Sequence, residues 1–92
     1  MKRLTLAAVM MAGLAMPASA ECYADYKAKQ DDPLRLHYGV AEVAACDTDG
    51  AAAELVPRLA SDGWTLLTVL STFGPEGLDE RRDSAGASFL RY

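Results

Sequence analysis

The chain is poor in the side chains that carry most chemistry: two cysteines, one histidine and one tryptophan in 92 residues. Cys22, Cys46 and His37 make no paired ligand spacing of the kind a zinc site needs. "DTDG" at 47–50 matches part of a calcium loop. With Gly50 as its sixth position, however, Ala45 would stand first and Val56 twelfth, so the opening ligand and the closing glutamate are both missing. No metal and no cofactor is therefore expected, and one of Asp47, Thr48 and Asp49 is read as the cap of a following helix. Nor does the sequence hold a nucleophile with a neighbouring base, a paired-carboxylate motif or a glycine-rich phosphate loop.

Basic residues are scarce too, nine Lys and Arg against 13 Asp and Glu. Affinity for nucleic acid or anionic lipid comes mainly from cations that neutralise phosphate, so neither is an expected partner. A long hydrophobic run is also lacking. The most apolar stretch, Leu4 to Met16, is about 13 residues, short of the roughly 20 that a membrane-spanning helix needs. Behind Lys2 and Arg3, and closed by Ala18-Ser19-Ala20, it has the pattern of a secretory signal peptide cleaved after Ala20. A lipoprotein signal would need a small residue directly before Cys22, and Glu21 stands there. The expectation is a bacterial protein, periplasmic or secreted, with no stable membrane anchor after cleavage. Without Lys2 and Arg3 the remaining 72 residues, 21–92, carry seven basic against 13 acidic groups, a formal charge of −6.

Export gives the two cysteines a meaning, because oxidising compartments let disulfides form and persist. A Cys22–Cys46 bridge is expected. Its spacing is not C-x-x-C and no adjacent cation lowers either thiol's pKa, so the bridge reads as structural rather than redox-active. A chain this short buries a small core, and a covalent tie matters to it.

Along residues 21–92, the polar 21–33 segment reads as an N-terminal arm tied back by Cys22. In "LRLHYGVAEV", Leu34, Leu36, Tyr38 and Val40 alternate with Arg35, His37, Gly39 and Ala41, which predicts a strand with His37 on its more polar face. "GAAAELVPRLASDGW" places Ala52, Leu55, Val56, Leu59 and Ala60 at helical spacing, predicting a helix over 50–62 that Gly63 ends in the left-handed conformation. Pro57 conflicts with that helix and calls for a bend or an irregular first turn. "WTLLTVLSTF", 64–73, reads as a central strand with Trp64, Leu66 and Leu70 on one side and Leu67 and Val69 on the other. Residues 74–87 read as a long polar connection with a helical turn near Leu78 to Arg82, and "SFLRY" as a last short strand. The sum is one small α+β domain: a mostly antiparallel three-stranded sheet, ordered strand, helix, strand, strand, with one helix on one face. Were the strands flanking the helix neighbours, they would be parallel with a right-handed crossover.

The segments "LRLHYGVAEV", "LASDGWTLLTVLSTFGPEGLDERR" and the terminal "FLRY" resemble a group of short exported bacterial proteins of unknown function. More distantly, the Gly63-Trp64 junction and the final "FLRY" are similar to a family of small domains of unknown function. The resemblance implies fold and compartment; it implies no activity and no catalytic residues.

Two functional readings follow. One is a non-catalytic binding or structural module, with the 74–84 loop as its candidate surface, where Glu76, Asp79, Glu80 and Asp83 interleave with Arg81 and Arg82. The other is a small hydrolase or isomerase using His37 as general base with Glu42 or Asp79. A single helix covers one face of a three-stranded sheet, which leaves Leu67 and Val69 to be buried otherwise. Either a homodimer covers them, or the 21–33 arm does, with Tyr23 and Tyr26 as its contacts.

Overall fold

Residues 22–30 alternate between two kinds of side chain, and the computed structural model, which describes residues 21–92, builds the sheet around them. Cys22, Ala24, Tyr26 and Ala28 point to one face; Tyr23, Asp25, Lys27 and Lys29 point to the other. This segment is strand β1, Cys22–Gln30. It is the middle strand of a three-stranded antiparallel sheet, flanked by β2, Arg35–Val43, and β3, Thr65–Phe73, in the order β2-β1-β3. The expected arm is thus the centre of the fold, and β3, read from sequence as central, is an edge. The signal segment lies outside the described residues.

The strands flanking the first helix are not neighbours, because β1 separates them. That helix, α1, runs Thr48–Ala60. Asp47 caps it, its carboxylate accepting from the Gly50 amide at 2.9 Å, and Gly63 follows its end with φ +83, the left-handed conformation its missing Cβ permits. The buried stripe is Ala51, Leu55 and Leu59, four residues apart, whereas Val56 and Ala60 are exposed. Pro57 sits in the third turn. It and Ala53, whose carbonyl it leaves without an amide partner, are both exposed, so that carbonyl meets water.

On the α1 face the sheet offers small residues, Ala24, Ala28 and Ala41, with Val43 and Tyr26, and the helix stripe lies directly on them. The opposite face also has a cover. After a 3₁₀ turn at Pro75–Gly77, a second helix, α2, runs Asp79–Ala85 where the sequence suggested a polar connection. Leu78, Ala85 and Phe89 pack there against Tyr23, Tyr38, Val40 and Phe73. "SFLRY" is not a strand: Gly86–Ser88 form a 3₁₀ turn, and pairing is limited to a single parallel bridge between Phe89 and Val40.

Two bulges in β3 explain why its faces differ from the simple alternation. Asp25 to Tyr26 on β1 opposes Ser71 to Val69, and Tyr26 to Ala28 opposes Val69 to Leu66, so β3 carries an extra residue at each step. Each insertion shifts the two-residue period by one. Val69 therefore joins Trp64 and Leu66 over the α1 face, while Leu67 and Leu70 are left half exposed. Tyr23 and Tyr26 likewise lie on opposite faces of β1 rather than together across one.

The Cys22–Cys46 disulfide is present and joins the start of β1 to the β2–α1 loop. The fold is therefore α+β, a disulfide-stapled antiparallel sheet with a long helix on one face and a short one on the other. Among the described residues no helix is long and apolar enough to cross a membrane.

Candidate functional site

Two polar clusters stand out, one on each face of the sheet, and both have a member on the central strand. The first centres on Asp25, which is only 7% exposed. Ser71 Oγ on β3 donates to its Oδ1 at 2.7 Å, Tyr38 OH on β2 donates to Oδ2 at 2.9 Å, and Arg81 Nε on α2 donates to Oδ2 at 3.1 Å. Arg81 is held in turn by the Gly77 carbonyl, 2.8 Å from Nη1, and its guanidinium lies 3.9 Å above the centre of the Phe73 ring. Burial pushes the Asp25 carboxyl up. The donated bonds from Ser71, Tyr38 and Arg81, with the Arg81 charge, outweigh burial and hold it below the usual carboxylate value. Burial, seconded by Asp25 as acceptor, pushes the Tyr38 phenol up to about 12.

The second cluster surrounds His37. Its position on β2 places it on the α1 face with Gly39 and Ala41, not on a solvated one. Its ring meets Trp64 edge to face at 4.2 Å between centroids, stacks on Tyr92 at 5.9 Å and meets Tyr26 at 5.4 Å. The Tyr26 hydroxyl and His37 Nε2 share a hydrogen bond of 3.0 Å. His37 Nδ1 is buried and has no partner among the described residues. Burial, then the Arg91 charge, lowers the imidazole's pKa, so the neutral ring is favoured. Burial also raises the Tyr26 phenol to about 12. A side chain at Gly39 would overlap the Tyr26 ring and hydroxyl, which is why glycine stands opposite this tyrosine across the strand pair.

The candidate partners of His37 are elsewhere. Glu42 is on β2 at the opposite parity, hence the other face, and Asp79 on α2 pairs with Arg82 at 3.2 Å. Tyr26, not a carboxylate, is the polar side chain bonded to His37. The 74–84 segment is spread in the same way. Arg81 turns inward to Asp25, Arg82 lies over the Phe89 ring at 4.5 Å, and the Glu76 carboxylate folds back toward Gly74. Its acidic and basic groups do not converge on a common point.

Asp25, Tyr26 and Tyr38 escaped the sequence reading as a set. A signal was present in the alternation of "CYADYKAK", where one acid sits among residues of strand period, but polar composition hid it. Glu54 escaped as well. Its carboxylate accepts from the amides of Ala44 and Ala45 at 2.8–3.1 Å, clamping the loop that carries Cys46, and those bonds lower its pKa.

The open surface lies on the half of the second face that α2 leaves bare. Leu36, 66% exposed, and Leu67, 51% exposed, stand there around a shallow cavity of about 260 Å³ that Lys27, Ala28, His37 and Tyr38 also line. Comparison with protein-family models, with curated proteins and with solved structures gave no match.

Proposed function

We propose that the protein is an exported, non-catalytic binding or structural module, akin to the short exported bacterial proteins its sequence resembles, whose contact surface is the bare half of the sheet around Leu36 and Leu67. One observation carries this reading: the groups able to do chemistry are engaged in the fold, while large apolar side chains stand in water. Asp25 receives three donors and His37 is packed between aromatic rings. Exposed apolar groups clustered beside a cavity mark a contact surface more often than scattered ones do. A photo-crosslinking residue at Leu67 is expected to trap a discrete partner in cells that the same residue at exposed Arg82 does not trap. Equal labelling from both positions, or none from Leu67, overturns the assignment.

The competing reading, a hydrolase or isomerase using His37, draws on the unpartnered Nδ1 atom. A general base must be reached by substrate, and in this half-buried ring Nε2 is bonded to the Tyr26 hydroxyl while Nδ1 is buried. Diethyl pyrocarbonate is expected to leave His37 unmodified in the native protein and to modify it after unfolding, as followed by peptide mass. Rapid modification of the native protein would revive the enzyme reading.

Export belongs to the same proposal, supported by the signal pattern of residues 1–20 and by a disulfide suited to an oxidising compartment. The intact mass of protein recovered from the periplasm is expected to match a chain beginning at Glu21, without an acyl group. A mass starting at Met1, or a lipid on Cys22, sinks this part.

A further inference from the structure

We infer that the free edge of β2, around Leu36, pairs with the same edge of a second copy of this chain, joining two sheets into one of six strands. The inference goes beyond the proposed function, which concerns the sheet's face, not its edge. It starts from the backbone. Val40 already uses the outer edge of β2, accepting from the Leu90 amide at 2.7 Å beside the Phe89 bridge. Backbone groups of a strand repeat every two residues, so the amides and carbonyls of Leu36 and Tyr38 point to that same edge. The strand's other edge is fully paired with β1. A short piece of open ladder therefore lies between the Asp31–Leu34 turn and the Phe89–Leu90 cover. The sheet's opposite border, β3, is interrupted by two bulges, a common way of making an edge a poor template.

Antiparallel pairing of one strand with its own copy is twofold symmetric, the commonest form of self-association. Centring the twofold on Leu36 lets each copy's Leu36 exchange both backbone bonds with its counterpart. Leu34 then faces the partner's Tyr38, and Arg35 faces the partner's His37, whose neutral form the surroundings favour. No like charges are set opposite one another. The partner strand enters its own turn just where Val40 is occupied, so neither copy has to displace Phe89 or Leu90. Leu34 and Leu36, 64% and 66% exposed, are the side chains this contact removes from water, which accounts for two of the most exposed leucines together. A register centred on His37 instead would bring Leu34 against the occupied Val40, so the open ladder admits the Leu36 register and not that one.

The acidic chains repel at long range, and added salt screens that repulsion, so the dimer should strengthen as ionic strength rises. Light scattering of the purified protein from micromolar to millimolar concentration is expected to rise to the mass of two chains. Leu36→Pro removes an amide that points away from β1 and is expected to return the mass to one chain with the thermal midpoint nearly kept. Because a proline variant can fail to fold, Leu36→Cys gives a second readout. A backbone-bonded antiparallel pair sets its Cα atoms about 5.5 Å apart, within disulfide range, so mild oxidation is expected to link two copies through position 36. Leu67→Cys, on the face, is expected not to link. A mass of one chain at millimolar concentration, or linking no faster at position 36 than at 67, overturns the proposal. A face that still labels a partner from Leu67 in a monomeric protein would leave the proposed function standing without this edge.

Discussion

Asp25→Ala is expected to lower the folding free energy by about 3 kcal/mol, the lower end of the cost of removing one partner of a buried ion pair, because the Arg81 side chain keeps some contact with water. The loss has several sources that the structure separates. Ser71 and Tyr38 lose their acceptor, and Arg81 is left over Phe73 with only the exposed Glu80 carboxylate, 3.4 Å from its Nη1, beside it. Since Arg81 belongs to α2, the helix loses its main polar tie to the sheet and is expected to loosen first. For a domain of this size the thermal midpoint should fall by about 12 °C or more. Hydrogen exchange should report faster amides in Asp79–Ala85 than in β1. The acid dependence has a definite sign. The Asp25 carboxyl titrates below its unfolded value in the native state, so its contribution is fully present above the unfolded pKa and is lost as pH falls through the lower folded one. The gap between wild type and Asp25→Ala should therefore be widest near neutrality and narrow below about pH 4. A midpoint within 2 to 3 °C of wild type, on the scale of a few tenths of a kcal/mol, or a gap that grows on acidification, would defeat this account.

The same site shows how far the sequence can be read. Local signals with a backbone cause were legible: a helix cap among Asp47, Thr48 and Asp49, which is Asp47, the Gly63 stop, the strand period of 35–43 and the pairing of the two cysteines. Each depends on residues near in the chain or on compartment chemistry. What failed depends on what lies across the sheet. Residues 22–30 look polar because one of their faces carries Asp25, Lys27 and Lys29, and only the presence of a second covering layer makes them a central strand. His37 looked solvated because alternation was read as one buried face and one wet face. In this sheet both faces are covered near Val40, and Leu36, assigned to the core by the same rule, is the residue left in water. The bulges in β3 were invisible for a similar reason, since an inserted residue has meaning only against the partner strand that lacks it. The candidate loop at 74–84 had the right composition for a surface, but Arg81 is drawn to a carboxylate 56 positions away, Asp25, and the two arginines lie over the rings of Phe73 and Phe89.

Cys46→Ser is expected to cost about 3 to 4 kcal/mol, the chain-entropy value for reopening a loop whose ends are 24 residues apart, and the thermal midpoint should fall by about 15 °C or more. The bond ties the first residue of the central strand to the loop entering α1, so it joins the sheet's middle to the helix that covers it. Non-covalent ties hold that loop as well. Glu54 binds the Ala44 and Ala45 amides, Asp47 caps α1, and Thr72 Oγ1 donates to the Cys46 carbonyl at 3.1 Å. Those ties act in the native state and persist without the disulfide, whereas the disulfide acts chiefly by limiting the unfolded chain. The two mechanisms make different predictions about pairs of changes. The double variant Cys22→Ser, Cys46→Ser should be no less stable than Cys46→Ser, because the second substitution has no crosslink left to remove. Glu54→Gln should add its own loss almost unchanged in either background. Thermal melts of the wild type and these variants, with alkylation of the unreduced, unfolded wild type to show that no thiol is free, decide the matter. An unchanged midpoint in Cys46→Ser would mean that the non-covalent ties alone hold the loop to the sheet.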